Sequence, residues 1–232
     1  MKITIDHLTA GADRARGIAV IIDVFRAYSV ESYAFAGGAA RIYPLADLDA
    51  AYAMKQAHPD YLLAGERKAM QPEGFDFGNS PAQLEHADLT GKTLIHTTSA
   101  GTQGIAAAVH ADRILVASLV NARATAEYLR SLAPEQVSLV CMGYENRVPT
   151  EEDTACAQYI RAILEGTDQE YDKEAAIRWM RETAGQRFFV PEHQSFAPER
   201  DFELCTRFDR FSFAMEIRRD ENGDCCTVKI PM

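Results

Sequence analysis

Five short apolar runs in this chain each break off into a cluster of polar or small residues. Ile18–Ile22 runs into Asp23, Phe25 and Arg26, and residues 61–64 run into Gly65, Glu66 and Arg67. Residues 93–95 run into His96, Thr97, Thr98, Ser99, Ala100, Gly101 and Thr102. Residues 114–117 lead to Ser118 and Asn121, and residues 137–141 lead to Gly143, Tyr144 and Glu145. Each run has the length of a strand, and Ile18–Ile22 shows no polar alternation, as a strand buried on both faces requires. In an open parallel sheet, ligands bind beyond the carboxyl ends of the strands. If the runs are parallel strands, all five clusters meet on one edge, and that edge is the expected site.

Helical patterns fill the intervals. The spacing predicts helices over 28–36, 48–56 and 101–109, one capped by Asn121, and one opened by Thr150 with Cys156, Tyr159, Ile160 and Ile163 on a stripe. Residues 41–45 read as a short strand near an edge, because Pro44 cannot donate to a ladder. Strands alternating with helices imply right-handed crossovers and a sheet covered on both sides. The expected fold is therefore α/β, a mainly parallel sheet sandwiched by helices, in a single domain over 1–232. Its core should span about 18–165. Beyond Gly166 the character changes: a helix over 172–183, then strands near 213–217 and 225–230, read together as a helical and hairpin extension over about 166–232.

Composition narrows the function. With 47% hydrophobic residues the chain can bury a full core, and with a net charge of −10 it is a poor partner for nucleic acid. A small anion remains compatible, since a few arginines and helix N-termini suffice locally. No run of about 18 apolar residues marks a membrane span, and the first residues lack a signal-peptide core. Five cysteines without a CxxC pair fit reduced thiols in a cytoplasm. Homo-oligomerisation stays open.

The polar clusters carry the candidate chemistry. Asp23 and Arg26, three apart at the end of the most buried run, pair a carboxylate with an oxyanion-gripping fork, or form an ion pair. Phe25 occupies the position where an aspartyl-phosphate enzyme of the haloacid-dehalogenase type needs its second acid. Gly65-Glu66-Arg67 reads as a second charged strand end or as a solvated pair. In the stretch Gly74 to Pro81, Asn79 or Ser80 caps a helix with Pro81 at its first position, a start suited to phosphate or sulfonate. The hydroxyl-rich loop Thr97, Thr98, Ser99, Ala100, Gly101 and Thr102 can cradle an oxyanion, though no Gly-Lys-Thr makes it a Walker loop. Thr150-Glu151-Glu152-Asp153 is either a capping box or a source of one Mg²⁺ ligand.

In this order, the clusters resemble the 2-phosphosulfolactate phosphatase family. The match rests on 22–27, 64–67, 74–81, 97–102, 118–121 and 152–153, with Gly74 to Pro81 the most specific piece. The resemblance implies a Mg²⁺-dependent α/β phosphatase acting on a small anionic phosphate ester, (2R)-2-phospho-3-sulfolactate, a step of coenzyme M synthesis where that cofactor is made. It implies catalytic roles for Asp23, Arg26, Glu66 and Arg67, and substrate contacts from Asn79, Ser80, Thr97, Thr98, Gly101, Thr102 and Asn121. Metal ligation would fall to Asp23, Glu66 and Asp153. The family loop commonly reads Thr-Asn-Gly-Thr where this chain has Ser99-Ala100-Gly101-Thr102. A phosphatase of another small acid, or a non-catalytic anion binder, are the alternatives.

Overall fold

The computed structural model describes residues 1–232. Nine strands form one sheet: β1 (Lys2–His7), β2 (Ile18–Ile22), β3 (Arg41–Pro44), β4 (Leu62–Gly65), β5 (Thr93–Thr97), β6 (Arg113–Ala117), β7 (Gln136–Cys141), β8 (Phe213–Arg219) and β9 (Cys225–Pro231). The helices are α1 (Leu8–Arg14), α2 (Ala27–Ala36), α3 (Leu48–Ala57), α4 (Pro81–Leu84), α5 (Gly101–Ala107), α6 (Ala122–Leu132), α7 (Glu151–Glu165), α8 (Lys173–Glu182) and α9 (Glu199–Cys205). No helix is long and apolar enough to cross a membrane.

The strand order is β1-β7-β2-β6-β8-β9-β3-β5-β4. The α/β class and the C-terminal hairpin hold, and the hairpin lies within the sheet. β8 pairs antiparallel with β6, β9 pairs antiparallel with β3, and the two pair with each other, so the hairpin joins two parallel groups. Its docking is fixed by a buried charge: Arg113 on β6 donates its Nε to Glu216 on β8 at 2.7 Å. Sequence order alone hid this, because nothing local in 213–231 says that its neighbours are strands far back in the chain. β1 was likewise not expected as a strand, yet it pairs in parallel with β7 along its whole length. β3 lies between β9 and β5, not at an edge. Pro44 is its last residue, so the missing N–H falls at the end of the ladder.

The first parallel group is packed on both faces. Ala19 and Ile21 of β2 enter one core with α1, α2 and α5, whereas Ile18, Val20 and Ile22 enter another with α6 and α7. This is the period-two division of a strand between two helical layers. A smaller third core joins Ala51 of α3 to Leu63, Phe75 and Ile95.

The antiparallel hairpin has a consequence for the site. The group β3, β5, β4 runs opposite to the group β1, β7, β2, β6. In a flat sheet β2 and β4, six places apart, would stand ~29 Å from each other at ~4.8 Å per strand. Yet Asp23 after β2 and Glu66 after β4 line one cavity, so the sheet curls and brings opposed carboxyl ends face to face. A single flat edge, as the apolar runs suggested, is not how the clusters meet. Two features permit the curl. The β3–β9 ladder is one residue pair long, Ile42 with Thr227, and α2 fills the interior, buried at every residue from Ala27 to Phe35.

Candidate active site

A cavity of about 550 Å³ collects the strand-end clusters. Asp23, Arg26, Glu66, Asn79, Thr98, Ser99 and Ala100 form one wall. Residues 143–145 and 148–151, with Ala184, Arg187, His193, Phe196 and Ala197, form the other.

The acids define its chemistry. Asp23 Oδ1 accepts from the Ala27 N–H at the start of α2, 3.1 Å away, while Oδ2 accepts no hydrogen bond. Room for that carboxylate depends on Gly101: a Cβ there would lie 3.0 Å from Asp23 Oδ2. Burial pushes the Asp23 carboxyl up to about 6, and the nearby Glu66 carboxylate pushes the same way; the Ala27 N–H and Arg187 pull it down. Glu66 is held tightly, accepting from Ser99 N at 2.6 Å, Ala69 N at 2.8 Å and Ser99 Oγ at 3.1 Å. It stands where it does because Gly65, at φ +138°, brings the chain against Thr97 of β5.

Asp153 does not line the cavity. Its two oxygens accept from Val24 N and Gly143 N, both at 2.8 Å, tying the ends of β2 and β7 together from behind. The capping box expected at Thr150 is therefore absent; the Thr150 side chain makes no cap bond. Burial raises the Asp153 carboxyl well above the usual range and that of Glu152 to about 7. Glu152 Oε2 has no partner.

The arginines divide. Arg26 lines the cavity, anchored by one nitrogen: Nη1 donates to Asp201 Oδ2 and to Phe196 O, each at 2.6 Å. Its other nitrogens make no bond within the protein. Arg67, by contrast, lies outside the cavity lining, and both terminal nitrogens are occupied. They donate to Glu66 O, Ala46 O and Thr97 Oγ1 at 2.5–2.8 Å. It braces the ends of β4 and β5. The expected anion grip at Arg67 is corrected to a brace, because backbone carbonyls have taken its fork.

Several other candidate substrate contacts are also inward. Ser80 Oγ and Ala82 N, at the start of α4, donate to Asp201 Oδ1 at 2.8 and 3.0 Å, so this helix start already holds an anion of the protein's own. Thr97 Oγ1 receives Arg67, Thr102 Oγ1 donates to Thr98 O, and Gly101 O accepts from Tyr28. Asn121 Oδ1 accepts from Ser118 N in a buried capping box. None of Ser80, Thr97, Gly101, Thr102 or Asn121 lines the cavity; Asn79 and Thr98 do.

Arg187 was not anticipated. It donates Nη2 to Phe25 O at 2.9 Å and rests over the rings of Tyr144, Phe25 and Phe188. Nothing local marks Arg187 in the stretch 184–189; only the three-dimensional return of this segment to the strand ends does. The surrounding Arg-Phe-Phe composition was the one available hint.

A curled α/β sheet with opposed carboxylates and arginines around one cavity defines an enzyme-like anion site. A family model described as 2-phosphosulpholactate phosphatase matches residues 4–220. A Bacillus subtilis protein named probable 2-phosphosulfolactate phosphatase is 34% identical over 96% of this chain and 94% of its own. A Thermotoga petrophila protein of the same name is 35% identical over 83% of this chain and 86% of its own. One from Caldicellulosiruptor saccharolyticus is 39% identical over 61% of this chain and 60% of its own. The chain belongs to the 2-phosphosulfolactate phosphatase family, a family of phosphoric monoester hydrolases.

Proposed function

We propose that this protein hydrolyses (2R)-2-phospho-3-sulfolactate to 3-sulfolactate and phosphate, with Mg²⁺, in the cytoplasm. The observation that carries the reading is the meeting of Asp23 and Glu66 in one cavity with Arg26 and Arg187. The Glu66 carboxylate raises the proton affinity of Asp23, whose Oδ2 is open, and the two carboxylates form a hard-oxygen donor set. No three-ligand cluster of His, Cys, Asp or Glu stands ready, but Mg²⁺ commonly takes one or two carboxylates and keeps waters. Asp23 and Glu66 fit that demand; Asp153, engaged by two backbone N–H groups, supports Asp23's neighbourhood without facing the cavity.

Bound there, Mg²⁺ would neutralise phosphoryl charge and offer coordinated water. The chain's own residues do the rest. Arg26 and Arg187 present planar donors to the phosphate, carboxylate and sulfonate of the substrate. Asn79 and Thr98 add neutral donors at the strand-end wall, while Ser99 holds Glu66. Phe25, Tyr144 and Phe196 limit access of water. Arg67, Ser80, Thr97, Gly101, Thr102 and Asn121 serve by fixing these groups in place.

A second reading, a different small phosphorylated acid, is favoured by one observation. Ala100, which departs from the common family loop, lines the cavity, so the departure alters a surface that substrate touches. Phosphate release from phosphosulfolactate, phospholactate and phosphoglycerate, with Mg²⁺ and with EDTA, tests both. Expected is Mg²⁺-dependent release with the highest kcat/KM for phosphosulfolactate. Preference for another ester would replace the substrate, and no release from any would overturn the enzymatic reading.

A further inference from the structure

Behind the strand-end wall lies a buried acid that none of the roles above uses. Glu31 sits in the middle of the interior helix α2 and is 1% exposed. Its Oε1 lies 2.9 Å from His96 Nδ1, and its Oε2 has no partner at all. His96, on β5, is equally buried, and its Nε2 lies 3.4 Å from Asn79 Oδ1. Asn79 makes no other side-chain hydrogen bond, and it lines the cavity. The line from α2 through β5 to Asn79 thus begins in the core and ends at the site.

Proton placement along this line is dictated by charge. His96 is the only partner of Glu31. A carboxylate beside a neutral imidazole would leave one uncompensated charge in the interior, which is the costly arrangement. The net-neutral pair carries one more proton. It can be written as carboxylate with imidazolium, or as carboxylic acid donating to Nδ1 of a neutral ring. An acid proton on Oε2 would find no acceptor there, so the shared proton lies between Oε1 and Nδ1, and both forms put a hydrogen on Nε2. Nε2 therefore donates and Asn79 Oδ1 accepts, which leaves the amide one orientation: its N–H₂ faces the cavity.

We propose that Glu31 and His96 are positioning residues that lock the Asn79 amide with its N–H₂ aimed into the cavity, as a fixed, uncharged donor to an anionic oxygen of the substrate. An amide free to flip would present its carbonyl half of the time and repel the same oxygen. The Thr98 hydroxyl can rotate to either role and the Ser99 hydroxyl is already fixed by Glu66, so only Asn79 needs such a lock. The identity of the oxygen rests on the phosphatase reading above; the lock itself belongs to the substrate-free protein.

The two are tested separately. In uniformly ¹⁵N-labelled, substrate-free protein, the His96 imidazole should show a protonated Nε2. A bare Nε2 would reverse the amide and overturn the proposal, whatever the protein hydrolyses. The kinetic test is a cycle of His96→Leu, Asn79→Ala and the double variant on (2R)-2-phospho-3-sulfolactate. With Asn79 present, His96→Leu should lower kcat/KM by ~10-fold or more; with Asn79→Ala it should add less than ~2-fold. Equal losses in both backgrounds would reduce His96 to a core residue and overturn the lock. Should His96→Leu fail to fold, the imidazole spectrum still decides. Absence of turnover by wild type, with Nε2 protonated, would remove the substrate reading and leave the lock standing.

Discussion

The two walls of the cavity are built in different ways. On the strand-end wall the three principal charges are tied into the fold: Asp23 to α2, Glu66 to the loops after β4 and β5, Arg26 to Asp201. The opposite wall is looser in its attachments and more open. Tyr144 is 44% exposed and Val148 57%. Its one strong cation, Arg187, is held by a single carbonyl and by ring faces. Fixed charges preorganised in a dry setting suit the chemical step. A cation seated on aromatic surface suits recognition of the rest of the substrate. The contrast fits the proposed function, with chemistry on the first wall and recognition of the rest of the substrate on the second.

The largest expected effect breaks the first wall. Asp23→Asn keeps the shape and the Ala27 bond but removes the charge, and turnover should fall by at least ~10²–10³-fold. The fold should not suffer, because burial already penalises the ionised Asp23. Thermal denaturation at pH 8 should show an unchanged or higher Tm. A variant that keeps half of wild-type turnover would take Asp23 out of the chemistry, and the walls would no longer differ in kind.

A smaller effect sharpens the contrast between arginines. Loss of a charge-assisted bond of ~1.5–3 kcal/mol corresponds to ~10–100-fold in affinity. Arg187→Ala should raise KM by that amount with kcat changed much less. Arg67→Lys should leave KM within ~2-fold and instead lower Tm, since an ammonium cannot replace a fork spread over Glu66 O, Ala46 O and Thr97 Oγ1. Steady-state kinetics on both variants decides it. Equal rises in KM would place Arg67 in recognition after all.

This contrast also shows what the sequence made legible. The strand-end wall could be read because period and punctuation are local. Five apolar runs became β2, β4, β5, β6 and β7, and Asp23, Arg26, Glu66, Asn79 and Thr98 stand on the cavity. What could not be read was direction. Ser80, Thr97 and Thr102 have the right chemistry at the right place in the chain, but their hydroxyls are engaged by Asp201, Arg67 and Thr98, and Asn121 is buried away from the cavity with its Oδ1 on Ser118. Hydrogen-bond partners from 121 residues away, as Asp201 is from Ser80, leave no trace in a local pattern. The same holds for Arg187 and for the β8–β9 hairpin, whose places depend on the curl of the sheet.

The smallest expected effect is a pH dependence of stability, and its sign follows from the crowding of acids behind and on the strand-end wall. Asp23 is raised from 3.8 to about 6, Glu152 from 4.5 to about 7, and Asp153 further in the same direction, each chiefly by burial. Between the unfolded and folded values the native state binds more protons than the unfolded chain, so stability falls as pH rises through this window. The metal-free protein should therefore lose Tm steadily from about pH 4.5 to pH 7.5, at ~2–4 °C for each ~1 kcal/mol. Glu85, Asp168 and Asp220 are shifted downward by Arg200, Arg123 and Tyr43 and act in the opposite sense, but they are solvent-screened and titrate below this window. Asp23→Asn should flatten the profile. A cation bound by Asp23 and Glu66 favours their ionised forms, so millimolar Mg²⁺ should restore Tm most at the alkaline end. A metal-free Tm that climbs across the same range would mean that Arg187 and Arg26, and not the buried acids, govern the electrostatics of the site.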